Sequence, residues 1–212
     1  MEELAVFLEK DPSNTPEEDL VRVLRADPGS PSSKIVCSNL RRAVSTLAGG
    51  FRDRLTRRPN EKILIFSPLQ EISRNPDALS ITPAQTPLQA SWIEKTNTLC
   101  NFQEIFTNQV DTSRHFGNKP VGSSGINRMK ELCDFVFSKS VREEHVIVGG
   151  HSLFFRSFFA NFLPYNFNHV SKKKKIVNGG VVAFELMKIK TEKLGDKYMI
   201  DPKTIRVVYG GF

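Results

Sequence analysis

The sequence predicts a single α/β domain, a three-layer α/β/α sandwich around a mostly parallel central sheet. Three observations carry this. Short apolar runs at Lys34–Cys37, Lys62–Phe66 and His145–Gly149 have the length and composition of strands buried on both faces. Helical patterns alternate with them, as in chains that cross over a parallel sheet. The chain has 212 residues, 39% hydrophobic and 25% charged, which suits one domain able to bury a core without disulfide or metal.

Taken in order, Thr15-Pro16-Glu17-Glu18 opens a helix, with Thr15 as N-cap and Pro16 at the first helical position. Leu20, Val23 and Leu24 give its apolar stripe to about Arg25, and Asp27-Pro28-Gly29 stops it. After the first strand a helix is expected over roughly residues 38–55, capped by Ser38. The second strand stops at Ser67-Pro68. Residues 72–122 are rich in Pro, Asn, Ser and Thr, with helical periodicity only near 89–106, and Val110–Ser113 reads as polar loop. Ile126, Met129, Leu132, Cys133, Val136 and Phe137 share one helix face. The third strand turns at Gly150 into an apolar helix, Leu153–Phe162. Its five phenylalanines read as core, with an exposed dimer face as the alternative. Val181–Leu186 and Thr204–Val208 close the chain as strands that pair antiparallel around a charged, hairpin-like segment.

The net charge is +7, unevenly spread: residues 1–27 carry −5 and the rest +12. A positive body attracts phosphates of any kind. Cys37, Cys100 and Cys133 are odd in number and lack CxxC spacing, against a zinc cluster or a secreted disulfide framework. No apolar run approaches the roughly 20 residues that span a bilayer, and Met1-Glu2-Glu3 is acidic where a signal peptide is basic. The expectation is a cytoplasmic protein with no membrane partner. Lys172–Lys175 lacks the interleaved aromatics that stack on bases, so it reads as a solvated loop and not as a nucleic-acid site. GxGxxG, the Walker pattern and the G-x-S-x-G elbow are all missing.

In open α/β sheets ligands bind beyond the carboxyl ends of the strands, so the residues just after each strand matter most. The first is followed by Ser38-Asn39-Leu40-Arg41-Arg42, which puts two cations in a helix's first turn, where the dipole disfavours them. Something anionic should offset that cost. The second is followed by Glu71, a carboxylate where a general acid could stand. The third is followed by Gly149-Gly150-His151-Ser152, an imidazole at a helix start after a sharp turn. Arg, Glu and His at three strand ends suit holding a phosphoryl group and protonating a leaving oxygen.

The segment Ser38–Thr46 resembles the S-P-L-x-R-A-x-Q-T stretch of the histidine phosphatase superfamily (phosphoglycerate mutase-like). Leu69-Gln70-Glu71 is similar to its acid-bearing L-x-E, and Val148–Ser152 with Phe155-Arg156 to its V-x-G-H-x-x-x-x-R. Asn178-Gly179-Gly180 is similar to the opening of its late strand, and Asp11–Pro16 to its D-x-x-L-T, with Asn14 in place of Leu. The motifs run in family order from about residue 11 to 186, and 72–122 corresponds to the family's variable insertion. The resemblance implies a phosphoglycerate mutase-like fold acting on a phosphate monoester, either a small molecule or a phosphoprotein. It implies that Arg42 clamps phosphoryl oxygens, Glu71 protonates the leaving oxygen and later activates water, and His151 donates to the phosphoryl group. No metal and no cofactor are expected.

One departure matters. The family's nucleophile is the His of an R-H-G motif ending its first strand, and the sequence has none. Arg114-His115-Phe116-Gly117 is a near-miss preceded by expected polar loop. Two readings follow. In one, a strand ending in R-H-G precedes this sequence in a longer protein. In the other, Ala5–Leu8 is the first strand and Glu9-Lys10-Asp11 stands where R-H-G would, giving a pseudophosphatase that binds a phosphate ligand or a protein.

Overall fold

The computed structural model describes residues 2–73, 82–120, 122–191 and 195–212. Residues 74–81 and 121 of the expected variable stretch lie outside them. At the centre are four parallel strands, β1 (Ser33–Cys37), β2 (Ile63–Phe66), β3 (Val110–Arg114) and β4 (His145–Gly149), in the order β3-β2-β1-β4. Ile35 stands opposite Ile63 on one side and Ile147 on the other. The strands' alternation therefore sorts the core into two layers. Ile35, Cys37, Ile63 and Ile65 face helices α1 (Glu2–Glu9), α2 (Glu18–Arg25), α3 (Arg41–Gly50) and α6 (Phe102–Asn108). Val36, Leu64 and Phe66 face α7 (Gly125–Val136) and α8 (Ser152–Phe162). The remaining helices are short: α4 (Arg52–Arg57) and α5 (Trp92–Thr96). Two further antiparallel pairs form separate small sheets, β5 (Val181–Ala183) with β8 (Arg206–Tyr209), and β6 (Leu186–Thr191) with β7 (Gly195–Ile200).

The α/β class and the parallel sheet thus agree with expectation; several boundaries do not. The Thr15 hydroxyl donates to the Pro12 carbonyl at 2.9 Å, closing a separate turn over Pro12–Asn14, so α2 begins only at Glu18. Ser38 is not the cap of α3. Leu40 is, and the helix expected over 38–55 breaks at Phe51 into α3 and α4. Gly50 lets α1 approach, since a Cβ there would stand 2.9 Å from Leu4 Cδ2. The periodicity near 89–106 resolves into α5 and α6. Val110–Ser113 is not loop but part of β3. It pairs with β2 alone, and an edge strand can be held by its ladder without burying its side chains. The run Val181–Leu186 is divided between β5 and β6, and β8 begins at Arg206. Ala5–Leu8 is helical: α1 buries Leu4, Ala5 and Leu8, so Glu9-Lys10-Asp11 ends no strand. Four of the five α8 phenylalanines, Phe154, Phe158, Phe159 and Phe162, are buried core.

One buried cation fastens this framework. Arg54, 2% exposed, donates to the carbonyls of Val23 and Leu24 at 3.0 Å each and to Ser33 Oγ at 3.0 Å, and pairs with Glu61. It ties the end of α2 and the start of β1 to the loop that enters β2.

Candidate functional site

Because all four central strands run the same way, their carboxyl ends deliver Ser38 and Asn39, Ser67–Glu71, His115–Lys119, and Gly150 with His151 to one edge. β1 and β4 are hydrogen-bonded neighbours there. His151, 6% exposed, is the N-cap residue of α8, and its Nε2 lies 2.8 Å from the fully buried Ser38 Oγ. Ser38 also donates its backbone N–H to Gly149 O at 2.9 Å, and its hydroxyl accepts the Leu40 N–H at 3.3 Å. That use of Ser38 is why α3 starts two residues later than expected. Gly149 has no room for a side chain, since a Cβ would stand 2.4 Å from Leu47 Cδ1.

Glu71 reaches the same helix end. Its Oε1 accepts the N–H of Ile72 at 2.7 Å and that of Phe154, in the first turn of α8, at 3.1 Å. A carboxylate there meets unpaired N–H groups and the positive end of the helix dipole. The loop that carries it is heavily braced. Arg128 of α7 donates from Nη1 to the carbonyls of Pro68, at 3.1 Å, and Gln70. Lys119 donates from Nζ to Glu71 O at 2.6 Å and Ser73 Oγ at 3.1 Å. Gln70 bridges to Asn118 Oδ1 at 2.6 Å and to the Lys119 N–H at 2.9 Å. Burial lowers the pKa of Arg128, opposed by the charges of Glu131 and Glu71.

Arg42 lies exposed on the first turn of α3, at the same edge. Its neighbour Arg41 meets an anion within the chain: Nε lies 3.5 Å from Glu94 Oε1. Burial pushes the Glu94 carboxyl up, but hydrogen bonds from Ser45 and Ser91, with the Arg41 charge, outweigh it and hold it low. The structure thus brings Glu71 and His151 onto one helix terminus and puts Arg42 on the neighbouring helix. Asn39, fully buried, donates from Nδ2 to Gly117 O at 2.6 Å, while its Oδ1 has no hydrogen-bond partner among the described residues.

The near-miss Arg114–Gly117 straddles the end of β3, but its groups are engaged. His115 is fully buried; its Nδ1 accepts the Gly117 N–H at 3.1 Å and its Nε2 lies 2.7 Å from Thr82 Oγ1. The proton therefore sits on Nε2, and burial lowers the ring's pKa. The Arg114 guanidinium lies over the Phe135 ring, 5.1 Å from its centroid. Of the Lys172–Lys175 run, Lys172 donates to the carbonyls of Pro164 and Tyr165, and the other three are exposed.

Sequence reasoning missed Ser38 as a partner of His151, and it missed Arg128 and Lys119. Arg128 had a signal: it shares a helix face with Leu132 and Phe135, and a cation on an apolar face needs buried acceptors. Lys119 had none. Compared with family models, curated proteins and solved structures, the chain matches none of them.

Proposed function

We propose that this edge binds a phosphate monoester and handles its phosphoryl group without metal, in the manner of the histidine phosphatase superfamily that its motifs resemble. The observation that carries the reading is the meeting of Glu71 and His151 at the start of α8, from opposite sides of β1. Backbone N–H groups at a helix start favour an anion, and a carboxylate and an imidazole beside them can exchange protons with one. Arg42 would hold phosphoryl oxygens.

If a segment ahead of this sequence supplies a histidine, that histidine attacks phosphorus and the ester P–O bond breaks. The leaving oxygen takes its proton from Glu71. Water then attacks the phosphohistidine, giving its proton to the Glu71 carboxylate, and phosphate leaves. His151 donates to the phosphoryl oxygens throughout. Small phosphate esters and phosphoproteins are both within this class. Without such a histidine the site binds phosphate and turns over nothing.

Calorimetric titration with phosphate and vanadate in EDTA tests the reading. Binding should be lost in His151→Ala and weakened about tenfold or more in Arg42→Ala, the loss of one charge-assisted contact. Absence of binding, or binding indifferent to both substitutions, overturns it. A p-nitrophenyl phosphate assay then separates an enzyme from a binding module.

A further inference from the structure

Residues 145–184 carry no Asp or Glu, and their cations are Arg156 and the run Lys172–Lys175. Lys172 serves the fold. It closes the turn Val170–Lys172, which packs on α8, and its Nζ donates to the carbonyls of Pro164 and Tyr165 at 2.7 and 3.2 Å. Just past the end of a helix the dipole also favours a cation. Neither account reaches Lys173, Lys174 and Lys175, which are exposed and form no ion pair among the described residues. Three adjacent like charges repel one another, and an anionic partner would offset that cost.

The run carries no aromatic of its own, but the fold sets two beside it. The Lys172 bonds tie the lysines to Tyr165, and a buried hydroxyl fixes the chain between them. His169 Nδ1 accepts the Ser171 N–H at 3.2 Å and lies 2.8 Å from Ser171 Oγ, Ser171 being fully buried. The His169 ring stacks on Phe167 at 6.0 Å between centroids and meets Phe212 edge-on at 5.7 Å. Ile176 packs into the second core. Pinned at these points, the loop leaves Tyr165 99% exposed, Phe167 36%, Val170 39% and Val177 47%. One such side chain on a surface is ordinary; four around a basic run mark an interaction site.

We propose that this loop docks on an anionic lipid bilayer, with Lys173–Lys175 at the headgroup phosphates and Tyr165, Phe167 and Val170 at the acyl boundary. Tyrosine suits that depth because its ring is apolar and its hydroxyl stays wet. Lysine suits it too, since a long apolar stem lets the ammonium reach water and phosphate together. The exposed valines decide between a membrane and a nucleic acid. Aliphatic groups gain from acyl chains, whereas single strands are held by aromatic stacking and charge. Contact of this kind lies on the bilayer and needs no spanning helix, and the described residues hold none. The loop follows the C-terminal end of α8, eleven residues and about 16 Å long, whose first turn meets Glu71. Docking is therefore separate from the candidate phosphate site and does not rest on it.

Co-sedimentation of the protein with vesicles tests it. Phosphatidylcholine vesicles with about 30% phosphatidylserine should carry the protein down, and phosphatidylcholine alone should not. Each lysine at an anionic surface is worth about fivefold in partitioning, so Lys173→Gln, Lys174→Gln and Lys175→Gln together should lower it on the order of a hundredfold. Tyr165→Ala should lower it about fivefold, through lost apolar contact with the bilayer. These side chains are exposed, so both variants should unfold at the wild-type temperature. Inorganic phosphate at matched ionic strength should not displace the protein. Displacement would mean that the candidate site takes the headgroup, and it overturns the proposal. So do absence of binding to the anionic vesicles, equal binding to neutral ones, and binding unchanged by either variant. Preference for a single-stranded oligonucleotide over the anionic vesicles at equal salt also overturns it, and would mark the loop as a nucleic-acid surface.

Discussion

Glu71 Oε1 accepts the backbone N–H of Phe154 at 3.1 Å, a bond that joins residues 83 positions apart at the first turn of α8. The carboxylate therefore serves the fold before any chemistry. Glu71→Ala should cost about 1 kcal/mol, as loss of a helix cap does, read as a lower denaturant midpoint. Glu71→Gln keeps an acceptor oxygen and should cost less. Any phosphatase activity lost in Glu71→Gln at retained stability then reports proton transfer. An alanine variant as stable as wild type would refute the capping role.

Ser38 is the buried partner of His151. Ser38→Ala should destabilise by about 1 kcal/mol, because a buried hydrogen bond to the His151 ring is lost. The His151 ring signals in an NMR spectrum should shift with it. Unmoved signals would mean that Ser38 does not set the ring.

Gly149→Ala would drive a methyl into Leu47 Cδ1 and Cys37 Sγ, at 2.4 and 3.3 Å. Overpacking of this kind costs about 1–3 kcal/mol. Adding Leu47→Ala should recover part of the loss, and a double-mutant cycle showing strict additivity would argue against the clash.

Arg54→Met should be the most damaging single change among these, by about 3–5 kcal/mol, since it strands Glu61 beside a buried site. Urea unfolding measures it. A loss under about 1 kcal/mol would show that the guanidinium is replaceable by packing alone.

Burial holds His115 below its ordinary value of 6.5, and His169 likewise. The unfolded chain then binds protons that the folded chain refuses, so stability is full above about pH 6.5 and falls as pH drops below it toward the lowered folded values. His115→Gln should flatten that fall, with His169 accounting for the remainder. An unchanged slope between about pH 7 and pH 5 would exclude His115 as a source.

The strands β1, β2 and β4 and the helices α7 and α8 were legible because continuous apolar runs and 3.6-residue periods leave little choice. β3 was not, because Asp111, Thr112 and Ser113 belong to an edge strand held by its ladder to β2. Ser38 carries a cap signal, yet tertiary contact with His151 claimed its hydroxyl, and no local pattern records a partner 113 residues away. The same holds at Arg41, where the offsetting anion is Glu94 of the chain itself. Glu71 and His151 were singled out because each lies within a few residues of a strand end, where topology converges side chains, and both do meet at the start of α8.

The Arg54 guanidinium makes the connection between α2 and β1 redundant as a tether. Residues 28, 29, 31 and 32 of that loop are exposed, yet Arg54 holds the carbonyls before the loop and the Ser33 hydroxyl after it. A protease nick there would leave two fragments bound to each other, one carrying the acidic start of the chain and the other the basic body with Arg42, Glu71 and His151. The opposite charges of the two pieces would favour their reassembly, so this loop is where the chain could be opened to give new termini without unmaking the site.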